Sequence, residues 1–189
     1  EEIQVLKKIL MFAPEDIELR SALSTAYFNS ENYDEALNHA LCVIELDEKD
    51  PQAYCNLGSC YSAQNMVDEA VESFQKATEI DPDYSLPHTN LGSLYATIGR
   101  IEKAIKEFKL ATTMNQSDSL AWMNLYSCYK EVGRMEDAQE AFRKYESLMN
   151  QGSQAEEKSH IPGGVSQTGQ LASGADLDTA SPGMEELTS

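Results

Sequence analysis

Long hydrophobic runs are missing from this sequence, and nowhere do apolar residues approach the roughly 18 consecutive positions that a membrane-spanning helix needs. The opening residues, EEIQVLKKIL, also lack the basic-then-apolar order of a secretory signal. These absences predict that the chain does not insert into a membrane. Because the sequence opens in what resembles the middle of a helix, we also expect residues to precede it in the full protein.

Cations are scarce. The 189 residues include 14 Lys and Arg against 32 Asp and Glu, a formal net charge of −18. Residues 1–150 contain 13 Lys and Arg against 26 Asp and Glu, and residues 151–189 contain 1 against 6. An acidic surface repels phosphate backbones, so the composition argues against binding of nucleic acid through a basic face.

Motifs for metal, cofactor or catalytic chemistry are also missing. The four cysteines include no C-x-x-C pair, and the three histidines have no metal-site spacing. We therefore expect reduced thiols in an intracellular, cytoplasmic protein without a cofactor. No nucleophile elbow, phosphate-binding loop or H-E-x-x-H pair occurs, and the carboxylates suit solvated helix faces, so we predict that the chain is not an enzyme.

What the sequence does have is a period of 34 residues. The phrase NLGSCY at 56–61 returns as NLGSLY at 90–95 and as NLYSCY at 124–129. Leucine, tyrosine and alanine each recur four times at this spacing, and phenylalanine recurs three times: Leu23, Leu57, Leu91 and Leu125; Tyr27, Tyr61, Tyr95 and Tyr129; Ala36, Ala70, Ala104 and Ala138; Phe74, Phe108 and Phe142. Internal repetition this regular indicates a chain built from stacked structural units.

Each unit has the spacing of two helices. Tyr54, Leu57 and Tyr61 stand at i, i+3 and i+7, and Ala70, Phe74 and Ala77 follow the same rule in the second half. The turns between the halves fall at NSEN, AQNM, IGR and VGR, which are short enough to require antiparallel neighbours. The pattern predicts an all-α fold of helix hairpins.

The order Tyr54, Leu57-Gly58, Tyr61, Ala70, Phe74, Ala77 and Pro82 resembles the tetratricopeptide repeat. The resemblance implies a right-handed superhelical solenoid of antiparallel helix pairs, whose first helices line a concave groove. The predicted units are the second helix of a preceding repeat (1–16), four repeats (17–50, 51–84, 85–118 and 119–152) and a disordered low-complexity tail (153–189). Within that tail, Leu171, Leu177, Met184 and Leu187 are candidates for a short linear motif.

The last repeat departs from the pattern, because Tyr126 replaces the tight glycine and Tyr145 replaces a small residue. We interpret both as signs of the C-terminal end of the solenoid, where the outer face usually needs a cover. Trp122 lies in the register predicted to be buried in the core.

The remaining face of each first helix is predicted to line the groove. Its candidate peptide-binding residues are Asn56, Asn90, Asn124, Ser59, Ser93, Ser127, Gln52, Thr89, Leu86, Leu120 and Met123. This groove is predicted to be neutral, with acids such as Asp68 and Glu72 collected on second helices and turns. The carboxylate clamp of some family members requires cations at these registers, and this sequence has none there.

The asparagine row resembles the ladder that lines the tetratricopeptide superhelix of O-linked N-acetylglucosamine transferase. Each amide offers donors and an acceptor to the backbone of an extended peptide. The alternative is structural, since the same amides can satisfy neighbouring groups of the protein itself.

We therefore predict a scaffold or adaptor that binds an extended or helical segment of a partner protein. One alternative is a regulatory or substrate-selecting arm of a larger enzyme such as a glycosyltransferase. Another is a homo-oligomer that assembles through the solenoid ends. The acidic second helices either attract a basic partner or only keep the protein soluble.

Overall fold

The computed structural model describes the backbone of residues 1–159 and the side chains of residues 1–151. The predicted disordered tail, from residue 160 onward, lies outside the described residues. Within the described part the chain is all α-helical and contains no strand. The helices are α1 (Glu2–Leu10), α2 (Ile17–Asn29), α3 (Tyr33–Leu46), α4 (Pro51–Ala63), α5 (Val67–Ile80), α6 (Ser85–Thr97), α7 (Ile101–Met114), α8 (Ser119–Glu131) and α9 (Met135–Ser159).

The four hairpins, α2–α3, α4–α5, α6–α7 and α8–α9, repeat in register. Their first helices begin at residues 17, 51, 85 and 119, which are the first residues of the predicted repeats. Asp16, Asp50 and Asp118 cap three of these helices, because each carboxylate accepts a hydrogen bond from a backbone N–H of the first turn. At the fourth, Tyr84 occupies the cap position and makes no such bond.

Every hairpin turn uses one residue in the left-handed region. These residues are Glu31 (φ 61°), Asn65 (φ 61°), Gly99 (φ 74°) and Gly133 (φ 77°), again 34 apart. The residue after each donates its N–H to the carbonyl of the recurring tyrosine, at 2.8 to 3.0 Å. This six-residue closure satisfies a carbonyl that the helix end would leave unpaired, so the turn is short and fixed.

Close contact between the helices of a hairpin depends on a glycine and a phenylalanine 16 residues apart. A Cβ atom on Gly58 would lie 2.7 Å from Cδ1 of Phe74, and one on Gly92 would lie 2.7 Å from Cδ1 of Phe108. Both rings are buried, at 1% and 0% exposure. In the first hairpin the same two registers hold two small residues, Ser24 and Ala40, which are both fully buried.

The two ends of the described structure differ from its middle. At the N-terminal end α1 packs Ile3, Leu6 and Leu10 against the first hairpin. At the other end Tyr126 and Phe142 pack in a tilted arrangement with ring centroids 5.0 Å apart, so the substituted glycine register is filled by a second ring that stays partly exposed.

The last helix is longer than the sequence predicts, because its backbone is helical to Ser159 whereas the tail was predicted to start at residue 153. Residues 154–158 are Gln, Ala, Glu, Glu and Lys, all strong helix formers, and Pro162 follows shortly after. Among residues 1–159 no helix has both the length and the hydrophobicity needed to cross a membrane.

Candidate binding groove

The first helices form the inner side of the stack. α2 contacts α4, α4 contacts α6 and α6 contacts α8, whereas the second helices α3, α5, α7 and α9 make no such contacts with one another in the described structure. Successive hairpins therefore converge on the side of the first helices and diverge on the other. We name these two sides the concave face (α2, α4, α6 and α8) and the convex face (α3, α5, α7 and α9).

Two of the three predicted asparagines connect neighbouring repeats. Nδ2 of Asn90 donates to Oγ of Ser59 at 3.3 Å and to Sγ of Cys55 at 3.5 Å. Nδ2 of Asn124 donates to Oγ of Ser93 at 3.4 Å. The amide donors of these two residues thus bind the hairpin before their own, as the structural alternative predicted.

The serine hydroxyls determine the orientation of the asparagine amides. Ser59 donates its own proton to the Cys55 carbonyl at 2.9 Å, and Ser93 donates to the Thr89 carbonyl at 3.0 Å. Each hydroxyl can then only accept from the asparagine, so Nδ2 must face it. Oδ1 of Asn90 and of Asn124 is left without a hydrogen bond to any described residue, so each amide offers an acceptor to the groove.

Asn56 is different from the other two. Its Nδ2 is buried and has no hydrogen-bond partner among the described residues. The residue in the serine register of the preceding repeat is Thr25, whose hydroxyl donates to the Ser21 carbonyl at 3.1 Å. The ladder of side-chain bonds therefore begins at the second asparagine, and the first retains an unsatisfied donor.

Thr89 requires a correction, because it was predicted to line the groove and is only 1% exposed. Its hydroxyl donates to Oδ2 of Asp118 at 2.8 Å, and the other oxygen of that carboxylate caps α8. One repeat earlier, Cys55 is equally buried beside Tyr84, and burial raises the pKa of its thiol to about 12. This register is covered by the cap residue of the next repeat, so it belongs to the stack.

The remaining predicted groove residues stay accessible to different degrees. Leu86 and Leu120 are 44% and 59% exposed, so they are available as apolar anchors. Gln52 and Ser127 are exposed, whereas Met123, the serines of the ladder (Ser59 and Ser93) and the three asparagines are partly buried. Trp122, predicted to be core, is partly buried and donates Nε1–H to the Gln116 carbonyl at 3.0 Å.

The N-terminal part of the concave face is more acidic than predicted. A hollow of about 470 Å³ lies between α2 and α4 and is lined by small and polar residues such as Ala22 and Thr25. Three carboxylates, Glu2, Glu18 and Asp50, also line it, and no Lys or Arg does. The potential in this stretch therefore favours a basic segment.

In the part of the chain that the structure describes, no three His, Cys, Asp or Glu side chains lie together as metal ligands would. The most enclosed ionisable pair is His88 with Glu107, which lie 2.8 Å apart inside the third hairpin at 13% and 16% exposure. Neither residue was singled out from the sequence, because the contact depends on how two helices pack.

Comparison with known families and structures agrees with the repeating hairpins. Tetratricopeptide-repeat models match residues 51–84 and residues 73–106. No curated protein matches the sequence.

Among solved structures, a crystal structure of MamA has a TM-score of 0.67 at 22% identity, over 80% of this chain and 89% of that chain. TTC0263, a thermophilic TPR protein in Thermus thermophilus, has a TM-score of 0.70 at 19% identity, over 82% of this chain and 84% of that chain. PilF from Pseudomonas aeruginosa has a TM-score of 0.67 at 16% identity, over 76% of this chain and 65% of that chain. At these identities the similarity concerns the fold. Together with the family models, which match residues 51–84 and 73–106, and the 34-residue hairpins, it shows that the chain has the tetratricopeptide-repeat fold.

Proposed function

We propose that the chain is a non-catalytic interaction scaffold whose concave face binds an extended or partly helical segment of a partner protein. The observation that carries this proposal is the orientation of Asn90 and Asn124. Their Nδ2 groups are engaged with the preceding repeat, which leaves Oδ1 available at successive positions along the groove. Acceptors arranged in this way suit the backbone N–H groups of a bound peptide.

Apolar contacts would supply much of the affinity. A net hydrogen bond contributes only about 0.5–1.5 kcal/mol, whereas burying a leucine side chain contributes about 1.5–3 kcal/mol. Leu86 and Leu120 are the exposed leucines of the concave face, one at the start of α6 and one at the start of α8. The acidic hollow between α2 and α4 favours a partner segment with basic residues at the matching end.

A displayed peptide library provides the probe for this proposal. Peptides selected on the full chain should lose at least roughly tenfold in affinity on the double variant Leu86→Asp with Leu120→Asp, because one buried leucine contributes about 1.5–3 kcal/mol and about 1.4 kcal/mol corresponds to tenfold. The matched control is Leu41→Asp, an exposed leucine on the convex helix α3. Equal weakening by the control, or none by the double variant, would contradict binding at the concave face.

Peptide chemistry then tests the role of the amides. Methylating single backbone nitrogens of a selected peptide removes one N–H at a time and leaves its carbonyls in place. Methylation at positions facing Asn90 or Asn124 should weaken binding, and the loss should shrink when the facing asparagine is changed to alanine. Losses that do not depend on the asparagine would mean that the amides only join the repeats.

A second candidate function is self-association through the N-terminal end. The outer side of α1 and the turn after it expose Val5 (55%), Ile9 (46%), Met11 (80%) and Phe12 (90%). The expected result is concentration-dependent association in sedimentation experiments that Phe12→Ser with Val5→Ser abolishes. A chain that stays monomeric at all concentrations would exclude it.

A cytoplasmic location is also part of the proposal, and it is supported by the four cysteines, which all remain unpaired. Such thiols persist in a reducing compartment. Fractionation of cells that produce the full-length protein would test the location.

A further inference from the structure

A groove on the convex face of the last two hairpins is not used by the proposed function. Two adjoining hollows of about 250 and 450 Å³ lie between α7 and α9, and residues of α8 also line them. Thr112, Thr113 and Trp122 line both of them, and we name the two neighbouring hollows together the convex groove.

The apolar part of this groove is discontinuous, and two lysines and two acids line it. Leu125 lines one hollow and Leu148 lines the other. Lys109 and Lys144 stand at its two sides, and neither has an ion-pair partner among the described residues. The opposing charges are Asp137, which is already paired with Arg134, and the exposed Glu140.

Charge around this groove differs from the charge of the chain as a whole. Residues 100–144 contain 8 of the 14 Lys and Arg but only 7 of the 32 Asp and Glu. The same stretch supplies another hollow beside it, lined by Lys106, Lys109 and Arg134 together with Glu102. In a protein of net charge −18, this is where an acidic segment would meet the least repulsion.

One acidic segment is tethered next to the groove. Gln151 of α9 lines the larger hollow, α9 ends at Ser159, and residues 160–189 follow. These last 30 residues contain four acids and no Lys or Arg. The acids alternate with apolar residues, as in DLD at 176–178 and MEEL at 184–187.

We propose that residues 171–187 dock in the convex groove of their own chain, with a leucine or methionine against Trp122 and the acids toward Lys109 and Lys144. Reach is sufficient, because 30 extended residues span roughly 100 Å. Tethering raises the effective concentration to about the millimolar range, so weak individual contacts are enough. The groove is then closed to any other acidic ligand unless that ligand displaces the segment.

Trp122 is the only tryptophan in the chain, so its fluorescence reports on this groove alone. The experiment compares acrylamide quenching in the full-length protein with quenching in a variant that carries Asp176→Asn, Asp178→Asn, Glu185→Gln and Glu186→Gln. We expect the quenching constant to rise roughly twofold in the variant, because a docked segment keeps solvent from the indole. In about 1 M salt, where the Debye length falls to about 3 Å, the wild type should approach the same value.

The control variant changes the net charge equally but away from the groove. It carries Glu15→Gln, Glu45→Gln, Glu48→Gln and Glu72→Gln, and these four residues are exposed and make no described ion pair. It should quench like the wild type.

Charge reversal gives the sharpest result. Lys109→Glu with Lys144→Glu should expose Trp122 in the same way, and adding Asp176→Lys with Glu185→Lys should restore protection. Unchanged quenching in the neutralised variant overturns the proposal, as does failure of the reversed pair to restore protection. Protection that depends on protein concentration overturns docking within one chain, since a second copy would then supply the segment.

Discussion

Replacing Gly58 by alanine is expected to destabilise the second hairpin, although alanine is the better helix former. The added Cβ would lie 2.7 Å from Cδ1 and 2.8 Å from Cε1 of Phe74, whose ring is 1% exposed. Overpacking of this kind costs about 1–3 kcal/mol, while the gain in helix propensity is about 1 kcal/mol. The free energy of unfolding should therefore fall by up to about 2 kcal/mol.

Shortening the Phe74 side chain should change the effect of Gly58→Ala from destabilising to neutral or stabilising. In a Phe74→Leu background the clash is relieved, so Gly58→Ala should become neutral or stabilising by up to about 1 kcal/mol. The first hairpin supports this reasoning, because Ser24 and Ala40 occupy the same two registers and are both fully buried. In that hairpin serine replaces glycine, and the residue opposite it is alanine instead of phenylalanine.

The assay is urea unfolding followed by circular dichroism at the helix band, applied to the wild type, both single variants and the double variant. The double-mutant cycle should give a coupling of about 1–3 kcal/mol. Ala22→Gly on the exposed concave side of α2 serves as a control for helix propensity and should cost about 1 kcal/mol in either background. If Gly58→Ala has the same effect with and without the phenylalanine ring, contact with that ring is not why this register holds glycine.

Four further outcomes are expected. Asn124→Ala should lower the free energy of unfolding by about 0.5–1.5 kcal/mol in urea, because it removes the bond to Ser93. Glu31→Gly should raise it by up to about 1 kcal/mol, since glycine takes the left-handed turn without strain; a loss of stability would contradict the strain argument. Burial, then nearby cations, lower the pKa of His39 from 6.5, so the free energy of unfolding should fall as pH drops below about 6.5. His39→Phe should remove this pH dependence, which urea titrations at several pH values would measure. Leu57→Ala should cost about 2–5 kcal/mol in thermal unfolding whatever the partner does, because the side chain is 7% exposed in the core.

The repeating architecture could be predicted from the sequence because its causes are local. Helical spacing and turn residues act within one hairpin, and the same 34-residue period appears in the helix starts and in the left-handed turn residues. The sequence pattern underestimates the length of α9 because the prediction relied on an apolar stripe. Residues 153–159 carry no apolar stripe, although their intrinsic helix propensity is high.

The groove was harder to predict because its causes lie between repeats. Thr89 has the spacing of a groove residue, yet Asp118 of the next hairpin covers it. The bonds from Asn90 and Asn124 to a serine of the preceding repeat also cross a repeat boundary, over a separation of 31 residues. That spacing could have been found by comparing successive units, whereas the burial of Thr89 required the packed stack.

Asn90 and Asn124 therefore combine an observed structural role with a proposed binding role. Nδ2 of Asn90 and of Asn124 binds the preceding repeat, and Oδ1 remains available to a ligand. The hypothesis that the row binds a peptide and the alternative that it is structural are thus compatible, because they concern different atoms. Substitution by alanine removes both atoms and cannot separate the two roles. Methylation of the peptide can, because it removes only the hydrogen bond that Oδ1 accepts and leaves the stack intact.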